Sequence, residues 1–168
     1  MEHPLAYFIT FTTYGAWLPG RDPGWVDDRH NQPGAQFLQP DPIKVEASKL
    51  KMANPDFLLD EPSRQVVLKT MLEVASRREW RIRAAHVRSN HLHVVVTAAC
   101  PPEKVMNDFK AWASRRLNEA FGKRDNRWTQ HGSTLYLWSG EKVKEKINYT
   151  VRGQGAPMAV YEEKEGSE

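Results

Sequence analysis

The sequence predicts an α+β domain, an antiparallel sheet with its two main helices on one face. Three observations carry that prediction. Short runs rich in β-branched and aromatic residues alternate with longer runs of helical spacing, in the order β-α-β-β-α-β-α. Two of the strands are separated by a short polar turn, which makes them an antiparallel hairpin. The chain has 168 residues, 40% of them hydrophobic and 27% charged, as expected of one domain with a single core.

The first strand is Tyr7-Phe8-Ile9-Thr10-Phe11-Thr12-Thr13-Tyr14, ended by Gly15 and Pro19-Gly20. Residues 15–60 then form a long irregular insertion. Turn signals lie at residues 20–25 and 31–34, and Pro40, Pro42 and Pro55 confine any helix to about residues 44–52. An insertion of this length inside a domain is usually functional or mobile. Asp60-Glu61-Pro62 supplies a cap, an acid and an early proline. Val67, Leu68, Met71, Leu72 and Ala75 continue that helix at core spacing to about Arg78.

Residues 80–87 form the second strand, which places His86 on one face with Ile82 and Ala84 as a core or interface histidine. After the turn Arg88-Ser89-Asn90 comes the third strand, His91-Leu92-His93-Val94-Val95-Val96. Pro101-Pro102-Glu103 opens a long helix to Phe121, with Val105, Phe109, Trp112, Ala113, Leu117 and Ala120 inward and Gly122 as the stop. Residues 134–138 form the fourth strand. After Ser139-Gly140, residues 141–152 form a last helix with Val143, Ile147 and Val151 on one stripe. Residues 1–155 thus make one domain, and 156–168 are expected as a flexible acidic tail. The first six elements match the split βαβ, ferredoxin-like arrangement, which leaves one sheet face free for a site.

The single cysteine, Cys100, cannot form an internal disulfide and points to a reducing, cytoplasmic compartment. No apolar run approaches the roughly 20 residues that span a bilayer, and Met1-Glu2-His3-Pro4 lacks a signal-peptide pattern. The net charge is +3, unevenly spread. Six Lys/Arg lie from Arg64 to Arg83 and seven from Lys104 to Arg127, while the C-terminus is acidic. A basic body fits a polyanionic partner, and it equally fits a solvated charged surface.

Side chains alternate along a strand, so Leu92, Val94 and Val96 face one way and His91 and His93 the other. The histidines read either as surface residues or as half of a metal site. A stable site needs a further donor, and Gln154, His131, Glu141 and Glu145 are the candidates. Two imidazoles, one oxygen donor and open positions suit a divalent ion that also holds phosphate oxygens. The lack of a cysteine cluster argues against structural zinc. Tyr149 falls off the Ile147/Val151 stripe, so its hydroxyl is available for attack on a phosphodiester; the plain alternative is a packing tyrosine. Lys110, Arg115, Arg116, Lys123, Arg124 and Arg127, with Trp128 in a basic loop, are candidate DNA-binding residues: cations for the backbone and an indole for base stacking. Trp112 is assigned to the core by helical spacing.

The first strand, Asn90-His91-Leu92-His93 on a hairpin, a basic helix and a late helix bearing Tyr149 resemble the HUH single-tyrosine transposases, including the small insertion-sequence and REP-associated enzymes. The likeness covers about residues 5–155. It implies Mg²⁺ or Mn²⁺ held by His91, His93 and Gln154, and attack by Tyr149 on single-stranded DNA to give a 5′-phosphotyrosine. A 3′-hydroxyl then reverses the reaction at a new junction. It also implies a hairpin DNA partner and a homodimer whose sheets join, with no membrane association. The family's glutamine commonly follows the tyrosine by four residues; here Gly153 stands there and Gln154 follows by five. On a continuous helix five residues turn the side chain by about 140°, away from the site. A helix that ends at Gly153 swings it back. Two other functions fit the same residues: a domesticated protein that binds hairpin DNA or RNA without cutting, and a metal-dependent phosphoesterase that uses water.

Overall fold

The computed structural model describes residues 2–15 and 56–166. The short helix expected near residues 44–52, and the insertion apart from Gly15 and residues 56–60, lie outside the described residues. The described elements are β1 (Ala6–Thr12), α1 (Glu61–Arg78), β2 (Arg81–Val87), β3 (His91–Thr97), α2 (Pro102–Phe121), β4 (Ser133–Leu137), α3 (Gly140–Arg152) and β5 (Ala159–Glu162). Every pairing in the sheet is antiparallel, in the order β4-β1-β3-β2-β5. Its first four strands have the order that the split βαβ arrangement requires.

α1 starts where Asp60 accepts the Ser63 N–H at 2.9 Å; the Ser63 hydroxyl first, and then this N–H, hold the Asp60 carboxyl below its usual pKa. Val67, Met71, Val74 and Ala75 of α1 and Val105, Phe109, Ala113 and Leu117 of α2 pack together on one sheet face. That face presents Tyr7, Ile9 and Phe11 of β1 and Leu92, Val94 and Val96 of β3. Trp80 meets Phe109 edge to face, with ring centroids 5.7 Å apart. Trp112 is only partly buried and rests against this core. On the opposite face, Ala6, Phe8, Val95 and Leu137 pack with Val143 of α3 and, partly buried, Ile147. The face expected to be free is therefore partly roofed by α3.

Three expectations change. β1 ends at Thr12, opposite His91, because β3 begins there; Thr13 bridges Trp128 and the Tyr14 N–H donates to the Arg127 carbonyl instead. β2 carries an irregularity between Ile82 and Ala84, so Arg83 takes an extra place in the strand. Ile82 pairs with Val96 and joins the helix-facing core, whereas His86 pairs with His93. His86 is buried as read, but it does not share a face with Ile82. Finally, residues 159–162 are not part of a flexible tail. They form β5, which pairs with residues 84–87 of β2 and buries Ala159. Arg152 pairs with Glu162 at 2.9 Å, and Arg81 pairs with Glu163 just beyond the strand.

Candidate active site

His91 and His93 leave β3 on the face that α3 covers, as the alternation of the strand dictates. Their ring centroids are 5.0 Å apart, with the planes at 75°. Neighbours on the sheet orient each ring. Nδ1–H of His91 donates to Asn90 Oδ1 at 2.7 Å. Nδ1 of His93 shares a 2.6 Å hydrogen bond with the hydroxyl of Thr10, its cross-strand partner on β1. His93 is only 7% exposed. Burial, then the neighbouring His91, push its pKa down from 6.5 to about 4; burial lowers that of His91 in the same direction. Both rings are thus neutral at pH 7. On His91, with Nδ1–H turned to the Asn90 oxygen, Nε2 carries the lone pair; the Thr10 hydroxyl can donate to Nδ1 of His93 or accept from it.

α3 begins at Ser139, whose hydroxyl accepts the Lys142 N–H, and ends at Arg152. Gly153 closes it by donating its N–H to the Tyr149 carbonyl at 2.9 Å. A Cβ at Gly153 would stand 2.8 Å from that carbonyl oxygen and 3.0 Å from the Tyr149 ring, so this tight closure excludes any larger residue without a shift. The stop redirects the chain and brings Gln154 Oε1 to 3.3 Å from His91 Nε2. The offset of one residue is absorbed by the end of the helix. Both facing atoms are acceptors, and two acceptors at that separation need a cation between them or the amide turned over. Two imidazole nitrogens and an amide oxygen converging in this way form a donor set that fits a divalent ion. Among the described residues, no group of three or more His, Cys, Asp or Glu side chains could hold a metal, so neither His131 nor Glu141 nor Glu145 completes the pair.

Tyr149 is 43% exposed, and its ring lies 5.5 Å from that of His93. Phe8 stacks on His93 at 5.2 Å with planes 12° apart and meets Tyr149 edge-on at 6.0 Å. Lys146, one helical turn before Tyr149, holds its Nζ 5.0 Å from the Phe8 ring centre and 5.6 Å from that of Tyr149. Sequence reasoning passed over Lys146, Phe8 and Thr10. The i,i+3 spacing of Lys146 to Tyr149 was the one available signal. For Thr10 the signal is the β1–β3 register, which no local pattern reveals.

The seven candidate DNA-binding residues do not gather at this site. Lys110, Arg115 and Arg116 belong to α2, on the far side of the sheet, and the remainder lie in the loop that follows it. Arg127 is 5% exposed; its guanidinium donates to Asn118 Oδ1 and the Gly122 carbonyl. The Trp128 indole packs edge-on to Phe11 and donates to Ser114 and Lys110. Lys110 donates to the Thr129 and His131 carbonyls. Arg124 donates to the Asn126 carbonyl and, like Arg127, lies 4.9 Å from the Phe57 ring centre. Arg115 lies over Trp112, Arg116 pairs with Glu119 at 3.4 Å, and Lys123 is exposed. Arg127 and Trp128 are thus spent on packing the loop after α2.

With this geometry in hand, comparison with known proteins is direct. A family model described as "Transposase IS200 like" matches residues 54–141, just over half of the chain. The chain belongs to the IS200-like transposase family. The matched stretch contains His91 and His93 and ends before Tyr149 and Gln154. A solved structure of a REP-associated tyrosine transposase bound to a REP hairpin is similar at 12% identity and a TM-score of 0.51, over 91% of this chain and 70% of that one. A putative transposase from Deinococcus radiodurans R1 is similar at 14% identity and a TM-score of 0.47, over 93% and 95%. No curated protein matches. The first likeness establishes the fold. No helix among the described residues is long and apolar enough to cross a membrane.

Proposed function

We propose that this protein cleaves single-stranded DNA beside a hairpin and rejoins it through a 5′-phosphotyrosine on Tyr149, with Mg²⁺ or Mn²⁺ held by His91, His93 and Gln154. The observation that carries the reading is the approach of Gln154 Oε1 to His91 Nε2 at 3.3 Å, with Tyr149 beside the adjoining His93. When bound, the ion supplies charge stabilisation for the phosphodiester and the leaving oxygen. The Tyr149 oxygen attacks phosphorus and gives up its proton to solvent. The bond from phosphorus to the 3′-oxygen breaks, and that oxygen takes a proton from solvent and leaves as a hydroxyl. A second 3′-hydroxyl attacks the phosphotyrosine, forms the new junction and frees the phenol. Lys146, with Nζ 5.6 Å from the Tyr149 ring centre, would oppose the charge of a phosphate held beside Tyr149.

Hairpin DNA as the substrate is supported by the hairpin-bound transposase that shares this fold. Arg115, Arg116 and Lys123, together with Lys110 and Arg124, remain the proposed backbone contacts, lying away from the reacting groups. A homodimer joined through β4 is part of the proposal, because β5 covers the β2 edge and β4 is the other end of the sheet. The offset of Gln154 was the motive for a non-cutting relative, and its place beside His91 removes that motive. Nothing in the site favours attack by water over attack by Tyr149.

The test incubates the protein with Mn²⁺ and 3′-labelled hairpin DNA carrying single-stranded flanks, since the strand left on a 5′-phosphotyrosine keeps the original 3′ end. A protein–DNA adduct that survives a denaturing gel and disappears with EDTA is the expected result. Cleavage without any adduct would overturn the proposal. Thr10→Val removes the oxygen that orients His93. It is expected to weaken Mn²⁺ binding about 10- to 100-fold in calorimetry, the usual effect of losing a ligand's supporting hydrogen bond.

A further inference from the structure

One imidazole close to the reacting groups takes no part in the proposed chemistry. His86 is fully buried on β2, directly across from His93. Its Nδ1–H donates to the Thr150 carbonyl of α3 at 3.0 Å, and its Nε2 accepts the Met158 N–H at 3.0 Å. Two residues along, Arg88 Nη1 donates to the Ala156 carbonyl at 2.9 Å. β2 therefore grips the chain at Thr150, Ala156 and Met158. Tyr149 stands immediately before the first of these points, and Gln154 lies between the first and the second. Beyond Met158, β5 continues along β2 with Ala159 opposite Val87 and Val160 opposite His86.

We infer that His86 is a positioning residue, setting Tyr149 through Nδ1 and Gln154 through Nε2. The inference rests on the proposed function. A carbonyl only accepts and an amide N–H only donates, so these two partners dictate which nitrogen bears the hydrogen. His86 reaches both at once because it projects from the middle of the β2 segment that α3 and β5 share. α3 alone offers Tyr149 no such tether, since a helix held only by side-chain packing can slide or rock on the sheet. The anchor at Thr150 falls on the turn that presents the nucleophile. The anchors at Ala156 and Met158 fall on the segment that returns Gln154 to His91.

The two halves separate by substitution. His86→Asn places its amide near the position of Nδ1, keeping a donor for Thr150 and abandoning Met158. His86→Gln places its amide near the position of Nε2 and does the reverse. Arg88→Ala releases Ala156 from a partly exposed position and also removes the Nη1 that lies 3.4 Å from His86 Nε2, so it acts on the same half as His86→Asn. The measurements are Mn²⁺ affinity by calorimetry, which reports Gln154, and the adduct rate on labelled hairpin DNA at saturating Mn²⁺, which reports Tyr149. Circular dichroism melts accompany each variant.

His86→Asn and Arg88→Ala are expected to weaken Mn²⁺ about tenfold and leave the saturated rate within about twofold. His86→Gln is expected to keep the affinity and slow the saturated rate about tenfold. Parallel loss of both quantities in all three variants, in step with melting temperature, overturns the inference, as does no change in either. Absence of any adduct from the wild type counts against the proposed function instead. The Mn²⁺ affinities of His86→Asn and Arg88→Ala then still decide whether β2 sets Gln154.

Discussion

Tyr149→Phe is expected to abolish the covalent DNA adduct and to lower strand cleavage at least about 10³-fold, since it removes the proposed nucleophile and with it the covalent route. The substitution isolates one oxygen. A phenylalanine ring keeps the edge-on contacts to His93 and Phe8, with centroids at 5.5 Å and 6.0 Å, and keeps Lys146 over its face. The ring is 43% exposed, so the loss of its hydroxyl leaves no buried void. Melting temperature and Mn²⁺ affinity should therefore stay close to those of the wild type. A denaturing gel with labelled hairpin DNA and a calorimetric titration on the same preparation read both sides. An adduct of undiminished yield from Tyr149→Phe would place the nucleophile elsewhere.

The second large effect is on stability. In the metal-free protein the native His93 has a pKa of about 4 against 6.5 for a free imidazole, chiefly because it is buried. The unfolded chain therefore takes up a proton that the native state refuses. The contribution to stability is fully present above about pH 6.5. It is lost as pH falls through the window to about 4, and the total is on the order of 3 kcal/mol. His91 and His86 are shifted in the same direction, also by burial first, and add to the loss as pH falls below 6.5. Urea unfolding at pH 7, 6, 5 and 4 without metal should show this decline. His93→Gln should flatten it. Mn²⁺ should leave the wild type over the same range, because protons compete for the Nε2 lone pairs. A stability constant from pH 7 to 4 would show that burial of His93 is not maintained in solution.

Much of the fold was legible in the chain because the signals are local. The cap at Asp60, the break at Ser139-Gly140, the apolar stripes of the helices and the alternation in His91-Leu92-His93 each act within a few residues, and each gave the right element. The division of His91 and His93 from Leu92, Val94 and Val96 followed from strand geometry alone. What stayed hidden depends on partners distant in sequence. β5 is four residues that run into Glu162-Glu163, and only the free edge of β2 makes it a strand. The irregularity at Arg83 leaves no local mark, so His86 was placed with Ile82 when it faces His93. The basic residues were counted correctly, but a count carries no direction. Arg127 turned inward to Asn118, and Lys146, outside both basic clusters, is the cation beside Tyr149. Gln154 was the reverse case: a spacing that argued against it on a continuous helix was answered by the stop at Gly153.

The register of β1 on β3 has a consequence for how the protein acquires its site. Thr10 and His93 are 83 residues apart in the chain, and His91 and Gln154 are 63 apart. Neither pair can form by local searching. Each waits for a long loop to close, and such closures come late and slow the folding of chains rich in them. The hairpin of β2 and β3 can arise early, carrying both imidazoles, and at that stage they are two exposed histidines on a ribbon. The proposed metal site and nucleophile exist only in the finished sheet, so on the proposed function a chain still folding carries no competent cutting centre.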